Sequence, residues 1–197
     1  MIGILYFGAG NLFSLTATLK RIGVDFDIIL DDHFDESKYS HFIIPGVGHA
    51  RSAYEKLEKS NLIHRILQIE KPVLGICVGM QLLTAYSEEG DVKLLDLFPM
   101  QTKKFDSKNS LKVPHMGWNQ VSFDKVHPLF AEIPNNAYFY YVHSYFIEYH
   151  AEYTLATTEY GENFTAIMNR NNFFGVQFHP EKSGALGEKL LENFTKL

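Results

Sequence analysis

The stretch Lys71-Pro72-Val73-Leu74-Gly75-Ile76-Cys77-Val78-Gly79-Met80-Gln81 is an apolar run broken by two glycines that flank a cysteine. It reads as a buried strand over Pro72 to Ile76 that passes without a loop into a helix over about Val78 to Tyr86. A strand ending in G-x-C-x-G at the start of a helix has the pattern of a nucleophile elbow, with cysteine in the serine position. Such a turn lifts the side chain clear of the sheet, and Gly75 and Gly79 let neighbouring backbone approach. The helix start favours a thiolate and offers N–H groups to a developing oxyanion. The competing reading is a buried free cysteine in an α/β core, since free cysteine is among the most buried residue types. The glycines and the strand–helix junction favour the nucleophile, as do the C-terminal ends of parallel strands, where α/β sites form.

Outward from this stretch, short apolar runs alternate with amphipathic ones. Strands are expected at Ile2 to Phe7, Asp27 to Leu30 and Phe42 to Ile44. Asn11, after the turn Gly8-Ala9-Gly10, is placed to cap a helix running to about Ile22. Two further helices are expected over Ala50 to Glu58 and Leu62 to Ile69. Nearly continuous apolar strands alternating with helices imply a mostly parallel central sheet flanked by helices on both faces. From about Lys93 the pattern becomes strands and turns: Val113, Gln120 to Phe123, Ala137 to Val142, Tyr145 to Tyr149, Thr154 to Thr158, Thr165 to Asn169 and Phe173 to Gln177. That predicts a mixed or antiparallel extension, closed by a helix over Glu188 to Leu197. No repeat or linker interrupts residues 1–197, and one domain is expected.

A cysteine nucleophile needs a base. Of nine histidines, His179 is best placed, following an apolar strand in Gly175-Val176-Gln177-Phe178-His179-Pro180-Glu181. Glu181 is positioned to orient the imidazole, the third role of a triad. A surface His-Pro-Glu turn is the alternative. Pro45-Gly46-Val47-Gly48 ends a strand on the same sheet edge as Cys77. It reads either as an oxyanion strand, with N–H groups near Val47 and Gly48 joining that of Val78, or as a plain β–α turn.

Composition narrows the function classes. The 197 residues are 46% hydrophobic and 21% charged, as in an ordinary globular protein. The formal net charge of −5 argues against a nucleic-acid binder, and the Lys103-Lys104 pair reads as a solvated face. One cysteine excludes an internal disulfide and a cysteine-rich zinc site, and no HExxH is present, so no metal or cofactor is expected. The N-terminus does not have the form of a signal peptide, and no apolar run reaches the roughly 18 residues of a membrane span. A cytoplasmic location is expected.

Together, the elbow Gly75–Gly79 and the late His179-Pro180-Glu181 resemble the marks of the class I (triad) glutamine amidotransferases, an α/β family of flavodoxin-like fold. The resemblance implies that Cys77 attacks the carboxamide of L-glutamine, His179 protonates the departing ammonia and Glu181 orients His179. A glutamyl thioester would then be hydrolysed. The likeness narrows to the glutaminase subunits of imidazole glycerol phosphate synthases, whose motifs match Gly8–Leu12, Pro45–Gly48, Gly75–Leu83, Ser87–Gly90, Val113–Asn119, Tyr141–Tyr145 and Gly175–Ser183. The run Val113-Pro114-His115-Met116-Gly117-Trp118-Asn119 is the most specific of these.

By that resemblance, Gln81 and Glu89 hold the amino and carboxylate ends of glutamine, with Gly48 and the Ser144–Tyr145 backbone. Asn11, Trp118, Tyr140 and Lys182 match positions near a partner interface. The implied partner is a (β/α)8-barrel cyclase that uses the ammonia to make imidazole glycerol phosphate for histidine biosynthesis. The same motifs also serve paralogues that feed a sugar-modifying amidotransferase in surface-glycan biosynthesis. Two departures stand out: Val78 in place of leucine, and Asp91-Val92-Lys93-Leu94-Leu95 where the family runs through glycines.

Overall fold

A computed structural model describes residues 1–106 and 111–197. In chain order the elements are β1 (Ile2–Leu5), α1 (Leu12–Arg21), β2 (Phe26–Ile29), β3 (His41–Gly46), α2 (Ala50–Lys59), α3 (Leu62–Ile66), β4 (Val73–Cys77) and α4 (Val78–Leu82). There follow β5 (Thr84–Ser87), β6 (Val92–Lys93), β7 (Phe98–Lys104), β8 (His115–Phe123), β9 (Ala137–His143), β10 (Tyr145–Ile147), β11 (Thr154–Tyr160), β12 (Glu162–Arg170), β13 (Phe173–Val176) and α5 (Gly184–Phe194).

One nine-stranded sheet runs in the order β2-β1-β3-β4-β13-β12-β11-β8-β9. Its first five strands are parallel and the remaining four pair antiparallel. Every residue of β1, β3, β4 and β13 is buried, because helices cover the sheet: α2 packs on α3 and α4, and α1 on α5. The expected parallel core with an antiparallel extension is the observed architecture. A second sheet, β10-β7-β5-β6, stands beside it and carries Tyr145 and the approach to Glu89. No helix among the described residues is long and apolar enough to cross a membrane.

Local chemistry sets the helix ends. Asn11 Oδ1 accepts the Ser14 N–H at 3.3 Å, and Gly23 takes φ = 71° just after the C-cap Ile22. α4 stops at Leu82 rather than near Tyr86. Thr84 Oγ1 donates to the Gln81 carbonyl at 2.7 Å, and from Thr84 onward the chain pairs with β7 as β5. The sequence reading had no strand at β7, and it placed only the last part of β8. Val113 lies outside any strand, next to the cis peptide to Pro114. α3 ends at Ile66, short of Ile69, and α5 begins at Gly184, ahead of Glu188. Where the family's glycines were expected, β6 forms and Leu94 and Leu95 are buried in the core.

Candidate active site

Cys77 joins β4 to α4 at φ = 53° and ψ = −111°. For an L residue such backbone costs on the order of 1–3 kcal/mol and persists only where its surroundings enforce it. Glycine packing does so here. A Cβ on Gly79 would collide with the Ile44 carbonyl, one on Gly75 would lie 2.6 Å from the Gly79 oxygen, and one on Gly46 would strike the Gly79 nitrogen. The elbow therefore presses onto β3 backbone to backbone, with Gly46 paired in register with Cys77. α4 is only five residues long, so its dipole is weak, and a side chain also offers the sulfur positive charge.

That side chain is His179, just beyond β13. Its N–H donates to the Tyr140 carbonyl at 2.9 Å, and its own carbonyl accepts from Ser183 Oγ at 2.6 Å. A single 3-10 turn, Pro180–Lys182, brings Glu181 back beneath it. Nδ1 of His179 and Oε1 of Glu181 are 2.8 Å apart. Burial works against a charged His179, but the Cys77 sulfur, by its charge and then as a hydrogen-bond acceptor, and next Glu181 outweigh it. The imidazole pKa is raised to about 10. Among the described residues Nε2 has no partner within hydrogen-bond geometry, so the influence of the sulfur is mainly one of charge.

Cys77 and His179 open into one cavity, also lined by Val47, Gly48, Val78, Gln81, Glu89, Val142, His143, Ser144 and Tyr145. Every expected substrate-binding position lies there except Gly46, which is buried under the elbow. Gly48 holds φ = 92° with open space where a Cβ would stand, so its constraint is conformational rather than steric. Glu89 Oε2 accepts the Ala50 N–H at 2.7 Å, and Arg51 clamps the following loop through the carbonyls of Gly90 and Asp91, each at 2.6 Å. Gln81 Nε2 donates to the Tyr145 carbonyl at 3.1 Å and to Gln177 Oε1 at 3.0 Å. Gln177 in turn sets its Nε2 3.7 Å from Cys77 Sγ. The sequence reading gave Gln177 and His143 no role, although both stand inside motifs it singled out. Strand alternation was the available signal, because it turns His143 inward beside Ser144.

Three of the four expected interface residues converge. Trp118 and Tyr140 are cross-strand partners on β8 and β9 with rings 6.1 Å apart, and Lys182 Nζ lies 5.9 Å from the Tyr140 ring. Met116 (62% exposed) and Tyr138 (52%) extend the same face. Asn11 caps the start of α1, which packs against the Pro180–Lys182 turn. Among the described residues no cluster suits a metal ion.

The family described as glutamine amidotransferase class-I matches residues 4–197. The imidazole glycerol phosphate synthase subunit HisH of Buchnera aphidicola subsp. Schizaphis graminum is 44% identical over 197 residues, covering 100% of this chain and 99% of that protein. The HisH subunit of Pasteurella multocida is 43% identical over 196 residues, covering 99% and 97%. Among solved structures, a glutamine amidotransferase from Thermotoga maritima superposes with a TM-score of 0.67 at 19% identity, covering 99% of this chain and 81% of that one. PurLQS from the same organism gives 0.72 at 18%, covering 99% and 96%. These two share the fold. The chain belongs to the class-I glutamine amidotransferase family, on the branch of the HisH subunits of imidazole glycerol phosphate synthase.

Proposed function

We propose that this chain, acting as one amidotransferase domain, is the glutaminase subunit of an imidazole glycerol phosphate synthase and works in the cytoplasm. The observation that carries the reading is the strained Cys77 sharing a cavity with the buried His179–Glu181 pair, in a chain of HisH kinship. Cys77 Sγ attacks the carboxamide carbon of L-glutamine. The oxygen takes the developing charge, met by the Val78 N–H and by an N–H from the Val47–Gly48 strand. His179 delivers its proton to the amide nitrogen as the C–N bond breaks, ammonia leaves and a thioester remains. Water, deprotonated by His179, then attacks the thioester, releasing glutamate and restoring the thiol. Gln81 Oε1 and Glu89 Oε1 carry no hydrogen bond among the described residues, and such acceptors suit the α-ammonium of the substrate.

Ammonia passes to a (β/α)8-barrel cyclase subunit that docks on the face of Trp118, Tyr140 and Lys182, with Asn11 at its margin. The deciding experiment measures imidazole glycerol phosphate formation by the cyclase with glutamine or with ammonium salt. Glutamine should support the reaction only when this chain is added. Cys77→Ala should abolish that support and leave the ammonium reaction intact. A chain that adds nothing to the cyclase, and that fails to complement a histidine auxotroph, would serve another synthase.

A further inference from the structure

Behind the glutamine cavity, a chain of hydrogen bonds runs from β8, next to the edge strand β9, to the sulfur, and its direction is dictated by one backbone group. The Tyr145 carbonyl can only accept. Both groups that meet it must therefore donate: His143 Nδ1 at 2.8 Å and Gln81 Nε2 at 3.1 Å. A neutral His143 that donates from Nδ1 must accept at Nε2, so His115 Nδ1, 2.9 Å away, is a donor. His115 then accepts at Nε2 from Asn119 Nδ2 at 3.2 Å. The other Asn119 amide hydrogen goes to the Glu159 carbonyl at 3.0 Å. On the far side, Gln81 Nε2 also serves Gln177 Oε1, which turns Gln177 Nε2 toward Cys77 Sγ.

Every group in this relay has one orientation that satisfies it. Rotating the Gln81 amide would set its oxygen against the Tyr145 carbonyl, acceptor against acceptor. The histidines are enclosed by rings: His115 stacks between Tyr141 and Tyr160, and Phe164 lies 5.3 Å from His143. Burial lowers the pKa of His115 to about 4. It lowers that of His143 to about 3, assisted by the charges of His115 and His179 against the opposing Tyr145 hydrogen bond. Both imidazoles are therefore neutral at ordinary pH, as the relay requires.

We propose that His143 and His115 are positioning residues for glutamine: they anchor the Tyr145 carbonyl, which turns the Gln81 amide so that its oxygen faces the substrate's α-ammonium. This inference rests on the glutaminase reading above, and its test separates the two. Nitrogen-15 NMR of the full chain reads the tautomers directly, and both histidines should carry their proton on Nδ1. An Nε2–H tautomer at His143 overturns the relay whatever the substrate. Nδ1–H tautomers in a chain that hydrolyses no glutamine beside its cyclase overturn the substrate instead.

The kinetic arm compares glutamine with 4-carbamoylbutanoate, the same carboxamide without its α-amino group, in the presence of the cyclase. His143→Leu should cost glutamine about tenfold more in kcat/KM than it costs the truncated amide, the scale of one hydrogen bond to a charged group. His143→Asn keeps an amide N–H near the place of Nδ1 and should restore discrimination. An equal loss on both substrates, or no rescue by His143→Asn, would reduce the relay to ordinary packing.

Discussion

Nδ1 of His179 and Oε1 of Glu181 lie 2.8 Å apart, with side chains only 1% and 4% exposed and a single proline between them in the chain. Water hardly reaches this carboxylate, and its Oε2 has no hydrogen-bond partner among the described residues. The charge of Glu181 is therefore directed at the imidazole, fixing the tautomer that leaves Nε2 for the sulfur. Glu181→Gln keeps the shape and removes the charge. It should lower glutamine-dependent turnover by about 10²–10⁴-fold, the range found for a general acid–base and the group that orients it. Cys77→Ala should cost more, because it removes the bond-forming atom itself. Steady-state glutaminase assays on both variants check this, and equal losses would assign Glu181 a more direct part.

The glycines around the elbow divide into two kinds, and substitutions should separate them. Gly79 has no room, since its Cβ would collide with the Ile44 carbonyl. Gly79→Ala should displace the elbow, lower thermal stability and abolish glutaminase activity together. Gly48 has room, and its constraint is φ = 92° alone. Gly48→Ala should cost only about 1 kcal/mol of stability. Its glutaminase activity should still fall steeply, because the flanking peptide can no longer turn freely to present its N–H. Thermal unfolding and activity, measured side by side, give the two signatures.

The buried histidine pair predicts an acid weakness of the fold. His143 and His115 are held neutral by burial, with pKa values lowered to about 3 and about 4, whereas in the unfolded chain they titrate near 6.5. Below that value the unfolded state binds protons that the native state refuses. Their contribution is therefore fully present above pH ~6.5 and is lost as pH falls toward ~4. Each group adds a slope of up to about 1.4 kcal/mol per pH unit in that window. Urea unfolding between pH 4 and 7 should show the fall. His143→Asn, though less stable at neutral pH, should show a shallower one.

The legible parts of this protein were those written in local pattern. Gly75-Ile76-Cys77-Val78-Gly79 announces a strand–helix junction with a cysteine in its strained turn, because the glycine spacing permits that close backbone geometry. β1, β3 and β4 were visible because strands buried on both faces are continuously apolar. β7 was missed because only every other residue of Phe98–Thr102 is buried, and a proline, a glutamine and two lysines fill the rest of the strand. α4 was drawn too long because the Thr84 hydroxyl that stops it acts through a contact that apolar periodicity does not register. Gln177 is separated from Cys77 by 100 positions, and only the pairing of β13 with β4 in register brings them together. Such contacts arise from topology, so no reading of one stretch could assign them.

The face of β8 and β9 makes the last prediction. Trp118 is 55% exposed and its ring meets Tyr140 edge-on at 75°, an apolar surface beside the cation of Lys182. Exposed aromatic and cationic groups clustered in this way have the composition of an interface centre, where truncating one anchor costs about 2 kcal/mol or more, about thirtyfold in affinity. Trp118→Ala removes almost nothing from the core of the free chain, so its melting temperature should stay within a degree or two of the parent. The dissociation constant with the cyclase should rise about thirtyfold or more. Reactivity of Cys77 toward iodoacetamide in the isolated chain should stay unchanged, because β8 reaches the sulfur only through side chains other than Trp118. Titration calorimetry with the cyclase decides the matter: unchanged affinity with a lowered melting temperature would make Trp118 a structural residue and move the docking surface elsewhere.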